Sequence, residues 1–250
     1  MEGPSLFLAA EQLAPFVGKK IETVEGNTKI EKERLVQQKI LSIFSYGKYL
    51  FFQFDTFALR VHFLLFGSFE ATVENKKVTG DYPKKARTPR LAFKTNSGHI
   101  EMYSCSVRFM EESDAKKLCD FSTDTMSEEW DEKKTLKNLR SQAESEIGDV
   151  LLDQTLFTGV GNIIRNEVLI LAKVLPIRKV NELSLPKLKK IVQLTREYVF
   201  NFYEWRKKFE LKKHYIVYRQ SYCKQCGTNV IRQKTGVRQR ISFMCPQCQK

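Results

Sequence analysis

Four of the six cysteines stand as Cys223-x2-Cys226 and, eighteen residues on, Cys245-x2-Cys248. Two such knuckles supply four thiolates, enough to close a tetrahedron around Zn2+. A pair of disulfides or a redox dithiol are the other readings of the spacing. Met1 to Ala14 lack the basic start and long apolar stretch of a secretory signal, which argues against structural disulfides. Two knuckles also argue against a single redox pair. One zinc ion with a structural role is therefore expected, because so short a segment buries too little apolar surface to fold without a metal. The hairpin held this way, Gly227 to Met244, carries Arg232, Lys234, Arg238 and Arg240. Cys105 and Cys119 stand alone and read as ordinary core or surface thiols.

A second candidate is the turn Gly159-Val160-Gly161-Asn162. Glycines let the backbone approach a phosphate closely, and the helix expected to start at Asn162 would present free N–H groups to an anion. Taken alone, such a segment is as readily a plain turn between helices.

Charge is distributed unevenly. Pro176 to Lys250 hold 18 Lys and Arg against 4 Asp and Glu, a balance of +14, whereas the first 175 residues hold 24 against 25, or −1. A one-sided basic field favours a polyanion, since neutralised phosphates release counterions. A solvated basic face or a membrane-facing patch would read the same way. No window approaches the length of an apolar membrane span, so the chain is expected in the cytoplasm or at the nucleoid, in a bacterium.

The elements that must position these residues fall into three parts. From Gln38 to Val73, β-branched, aromatic and aliphatic residues run in short strands broken at Ser45-Tyr46-Gly47 and Gly67-Ser68. Arg90 to Lys94 and His99 to Met110 continue the pattern, which suggests a β-sandwich or barrel, preceded by a short amphipathic helix over Leu6 to Leu13. Glu111 to Lys134 is acidic and aperiodic and reads as a surface linker. Helices are then expected over Thr135 to Glu144, Val150 to Phe157, Asn162 to Ala172 and Ser184 to Lys207, the last with Ser184 as N-cap and Pro186 in its first turn. The basic, cysteine-bearing end follows.

In this setting the run Leu151-Leu-Asp-Gln-Thr, Gly159-Val-Gly-Asn162-Ile and Glu167, followed by the four-cysteine ribbon, resembles the formamidopyrimidine-DNA glycosylase/endonuclease VIII family. Gly47-Lys48-Tyr49-Leu50, His62 to Gly67, and Lys234 with Arg240-Ile-Ser-Phe-Met-Cys245-Pro-Gln-Cys248-Gln are similar to further family stretches, in the same order. Glu2-Gly3-Pro4 is closer to the endonuclease VIII branch. The resemblance covers essentially the whole chain. It implies an α+β protein with an N-terminal β-sandwich catalytic domain (1–115), a helical helix–two-turn–helix DNA-binding domain (130–215) and a C-terminal zinc ribbon on the four cysteines (216–250), the first two flanking a DNA cleft. It also implies an enzyme that flips a damaged base from double-stranded DNA, cuts the glycosidic bond and nicks the strand by β- and often δ-elimination. The chain is expected to act as a monomer.

Roles follow by resemblance. The family's nucleophile is the N-terminal amine, whose ordinary pKa of about 8 leaves far more of it unprotonated at neutral pH than a lysine. Where members usually expose Pro, this chain has Met1 followed by Glu2, so Met1 takes the nucleophile's place. Glu2 is in register for the acid that protonates the opening deoxyribose; the second Glu that often follows is Ser5 here. Lys48 is implied to assist the chemistry beside the lesion phosphate. Asn162 and Arg240 match the clamps on flanking phosphates, with His62 and Lys234 adding contacts. Leu64, Leu65 and Phe66 match the wedge that fills the gap left by the extruded nucleotide. The Glu2-Gly3-Pro4 start implies oxidised pyrimidines as the substrate, and the short stretch between the long helix and Cys223 leaves little room for a lesion-capping loop, which argues against a dedicated 8-oxoguanine enzyme. An 8-oxoguanine or formamidopyrimidine glycosylase is an alternative. Two competing classes are a damaged- or abasic-DNA binding protein without catalysis and a zinc-ribbon transcription accessory protein; the latter does not explain the N-terminal and Gly-Lys-Tyr matches.

Overall fold

The computed structural model describes residues 1–73, 76–80 and 88–250. These divide into two compact units, Met1–Asp120 and Phe121–Lys250.

The first unit opens with helix α1 (Gly3–Leu13), longer at its start than the pattern of apolar residues foretold. Pro4 suits the first turn, where an N–H would have no partner. Leu6, Ala9, Ala10 and Leu13 line one face at helical spacing and are buried with the sheet residues. Among the described residues seven antiparallel strands follow: β1 (Ile21–Glu25), β2 (Ser42–Tyr46), β3 (Tyr49–Gln53), β4 (Phe57–Val73), β5 (Lys76–Thr79), β6 (Leu91–Thr95) and β7 (Gly98–Glu111). Two long strands make one hydrogen-bonded sheet into a sandwich. Phe57–Phe63 of β4 pair with β3 and with Cys105–Glu111 of β7. Ser68–Val73 pair with β5 and with Gly98–Tyr103, to which β6 and then β1 are added. The strands change layer between Phe63 and Ser68, where four residues stand opposite Ser104 alone; strands that switch sheets do so through bulges of this kind. Leu50, Phe52, Leu59 and Val61 from one layer and Phe69, Leu91, Phe93, Ile100 and Met102 from the other fill the core. The rings of Phe52 and Phe93 meet edge-to-face at 5.3 Å.

Two strands escaped the sequence reading. β1 is an edge strand with a mostly exposed Ile-Glu-Thr-Val-Glu sequence, and β5 is an exposed Lys-Lys-Val-Thr edge. The expected linker from Glu111 to Lys134 is instead structured. It holds helix α2 (Glu112–Leu118), and Asp131 caps α3 (Glu132–Ser141) by accepting from the Lys134 backbone N–H at 2.9 Å.

In the second unit, the helix expected over Val150 to Phe157 is shorter and earlier: α4 is Ile147–Val150. Asp153 ends it by turning its carboxylate onto the Thr155 backbone N–H (2.8 Å) and hydroxyl (2.7 Å), a local bond that competes with helix. Helix α5 (Asn162–Leu171) starts on Gly161, and α6 (Leu185–Lys207) starts after Ser184 as expected. The chain ends in the hairpin β8 (Ile231–Thr235) and β9 (Arg240–Met244). No helix among the described residues is long and apolar enough to cross a membrane.

Candidate active site and DNA-contacting surface

In the first unit, α1 fixes the chain's start. The backbone N–H groups of Ser5 and Leu6 bond the Glu2 carbonyl, and Met1 is half-buried against the sandwich core, so neither Met1 nor Glu2 frays into solvent. Lys48 sits in the two-residue turn between β2 and β3, in which Tyr46 pairs with Tyr49. On the adjoining strand His62 lies against Tyr49, ring centroids 5.3 Å apart, and the Arg60 guanidinium lies 4.7 Å from the same Tyr49 ring. Burial lowers the His62 pKa first, and the positive charges of the terminal amine, Lys48 and Arg60 lower it further. The imidazole is therefore neutral at neutral pH. The terminal amine and Lys48 are thus near enough to His62 for their charges to act on it.

Leu64, Leu65 and Phe66 occupy the bulge at which β4 changes layer. They are 49%, 68% and 57% exposed, although a strand flanks them on each side. Gly67 makes the bulge possible. A Cβ there would stand 2.7 Å from the Phe63 Cβ and 2.8 Å from both the Leu64 nitrogen and the Ser104 carbonyl oxygen.

In the second unit, α5 and the ribbon are joined by a polar network. The Asn162 amide donates to the Ile241 carbonyl at 3.0 Å, beside Arg240, and Lys234 pairs with Ile241 across the hairpin. Asn162 is thus held against the hairpin next to Arg240, and Lys234 and Arg240 are both exposed. Beneath it, the fully buried Arg165 donates to the Ile241 carbonyl (3.0 Å) and the Ser242 hydroxyl (2.9 Å). Asn166 accepts from the Phe243 N–H at 2.7 Å. Glu167, also fully buried, accepts from the backbone N–H groups of Ile216, Val217 and Tyr218 at 2.7–3.0 Å. Burial pushes its carboxyl pKa up, while those three donors act in the opposite sense. At the hairpin tip, Asp149 accepts from the Val237 N–H at 2.6 Å, and a Cβ at Gly236 (φ +69°) would overlap that carboxylate. Of these anchors, sequence reasoning had named only Glu167, without a role. Their partners lie 49 to 88 residues away, and no local pattern marks them.

The sulfurs of Cys223, Cys226, Cys245 and Cys248 lie within 4.8 Å of one another, with Cys226 and Cys245 Sγ 3.4 Å apart. A tetrahedron with Zn–S bonds of about 2.3 Å has edges of about 3.8 Å, so the donor set fits zinc. The Thr228 hydroxyl, 3.3 Å from its sulfur, draws the Cys226 thiol down to about 6, while Cys226 first of all pushes Cys248 up to about 12. Four clustered sulfurs cannot all ionise without a cation among them.

The comparisons with known proteins agree with this architecture. Residues 121–201 match the family described as the formamidopyrimidine-DNA glycosylase H2TH domain. Endonuclease 8-like 3 of Xenopus laevis is 31% identical over 207 residues, covering 82% of this chain and 33% of that protein. The chain spans about a third of the length of the curated relatives it matches at this level. Endonuclease 8 2 of Mycobacterium tuberculosis is 24% identical over 229 residues, 86% of each chain. The solved Lactococcus lactis formamidopyrimidine-DNA glycosylase, non-covalently bound to DNA containing an abasic site, has the same fold, with a TM-score of 0.84 over all of both chains at 24% identity. With the sandwich and the four-cysteine ribbon also in place, this chain carries, over residues 121–201, the H2TH domain of the formamidopyrimidine-DNA glycosylase/endonuclease VIII family.

Proposed function

We propose that the protein is a DNA glycosylase and abasic-site lyase of base excision repair, acting on oxidised bases, pyrimidines foremost, in double-stranded DNA. The observation that carries this reading is the nearness of the terminal amine and Lys48 to His62, in a unit that also presents an exposed apolar triplet. The Met1 amine attacks C1′ of the flipped nucleotide, and the base departs with the bonding electron pair. The Glu2 carboxyl gives its proton to the ring oxygen as the sugar opens, and the resulting imine makes the C2′ proton acidic enough for elimination of the 3′ phosphate. Lys48 and the neutral His62 receive the phosphate beside the lesion. Leu64, Leu65 and Phe66 fill the gap in the stack. Asn162, Lys234 and Arg240 hold the backbone, with the first-turn N–H groups of α5 as further donors. One structural zinc on the four cysteines keeps that hairpin in shape, and the domains run 1–115, 130–215 and 216–250.

Borohydride trapping tests the central step. Incubation with abasic DNA and borohydride should yield a covalent adduct mapping to Met1. Glu2→Gln should abolish base release while DNA is still bound, and Arg240→Ala should weaken both. A protein that binds a lesion panel yet neither cuts nor traps would be a DNA-binding module instead.

A further inference from the structure

One basic surface is not used by this account. Helix α3 carries Lys133, Lys137 and Arg140 at i, i+4 and i+7, which sets all three on one face. Lys189, from the first turns of α6, stands with them around a groove of about 550 Å3 completed by Leu136 and Ser141. No acidic residue lines it. All four cations are exposed, and among the described residues none has a carboxylate within 4.0 Å. Lys134, by contrast, turns away and donates to the Ser122 hydroxyl at 2.6 Å. Like charges three and four residues apart destabilise a helix, so this face gives up stability that an anionic ligand would restore.

We propose that the groove binds the sugar-phosphate backbone of duplex DNA, at a place separate from the Asn162–Arg240 patch. This inference rests on the reading of the chain as a protein that acts on DNA. The two places use different elements: α3 lies on α6, whereas the patch is built from α5 and the ribbon. From Lys133 to Arg140 the helix rises about 10.5 Å, close to the axial span of four successive phosphates on one strand, three steps of about 3.4 Å. An anionic membrane fits less well, because Leu136 is the one apolar lining residue and is itself half-buried, leaving little surface to insert.

The test uses the full chain and a Lys133→Ala/Lys137→Ala/Arg140→Ala variant. Affinity for a duplex containing an abasic-site analogue is measured across a range of salt concentrations. Three lost phosphate contacts should make the slope of log affinity against log salt shallower by about 2.7, a weakening of up to about 500-fold at 0.1 M that vanishes toward 1 M. The variant's Tm should be equal to or above that of the parent, because Ala favours helix and the repulsion is gone. Weaker binding could then not be laid to unfolding. An unchanged slope overturns the proposal, as does a variant that keeps its DNA affinity but loses binding to anionic phospholipid vesicles or polyglutamate. Asn162→Ala and Arg240→Ala separate the two levels. If these weaken binding and the triple variant does not, only the groove is refuted; if the parent chain binds no DNA, the proposed function falls with it.

Discussion

Replacing Leu64, Leu65 and Phe66 together with alanine should separate binding from stability. Fully burying a Leu or Phe side chain is worth about 1.5–3 kcal/mol. With 49%, 68% and 57% of these residues still open to solvent, insertion into a gapped duplex could yield at most about 2.5–5 kcal/mol. Affinity for abasic-analogue duplex should therefore fall by about a hundredfold to a few thousandfold. Undamaged duplex offers no gap, and its weaker binding should change little. The share of each side chain that the fold already buries is worth about 0.5–1.5 kcal/mol, so unfolding free energy should fall by less than the binding free energy does. Fluorescence anisotropy with both duplexes and urea unfolding of the same preparations would supply the numbers. Equal losses on damaged and undamaged DNA, or a stability loss as large as the binding loss, would refute the wedge.

Four further outcomes are expected. Gly67→Ala should cost about 1–3 kcal/mol by crowding two backbone atoms and the Phe63 side chain, and should lower lesion binding along with Tm. His62 has a folded-state pKa below its ordinary 6.5, so the folded protein takes up that proton less readily than the unfolded chain; the stability it contributes is full above pH 6.5 and is lost as pH falls beneath it. His62→Gln should accordingly flatten the fall of Tm below pH 6.5. Cys245→Ser should abolish zinc binding by elemental analysis and lower Tm sharply, since ligation in such knuckles contributes on the order of 10 kcal/mol. Phe209 is 78% exposed and holds φ +57°, so Phe209→Gly should raise stability by about 0.5–1 kcal/mol in chemical denaturation.

How far the sequence could be read depended on whether a residue's partner was near or far along the chain. The cysteine knuckles, the Ser184 start of α6 and the strand runs around Phe52 and Val61 carry their meaning in local spacing, and each could be found there. The Leu64–Phe66 run was ambiguous because its apolar residues suit a core strand equally well. The layer change at Gly67, opposite a distant Ser104, turns them outward. The short α4 was misjudged because Asp153 bonds its own neighbours, a choice that hydrophobic pattern does not register. Arg165, Asn166 and Asp149 were missed for a related reason. A charged or polar residue inside a helical run looks solvent-facing until the hairpin it receives is in place.

The inward-turned carboxylate of Glu167 has a consequence for how this protein can change over time. It grips the strand of chain that leads into the ribbon, while Arg165 and Asn166 grip the hairpin itself. A copy trimmed just before that strand would strip Glu167 of its three backbone donors, Arg165 of its Ile241 and Ser242 acceptors and Asn166 of the Phe243 N–H. The ribbon is thus less an appendage than a keystone: because all of these bonds but the one to the Ser242 hydroxyl reach its backbone, its residues can vary while its path over the helix is held.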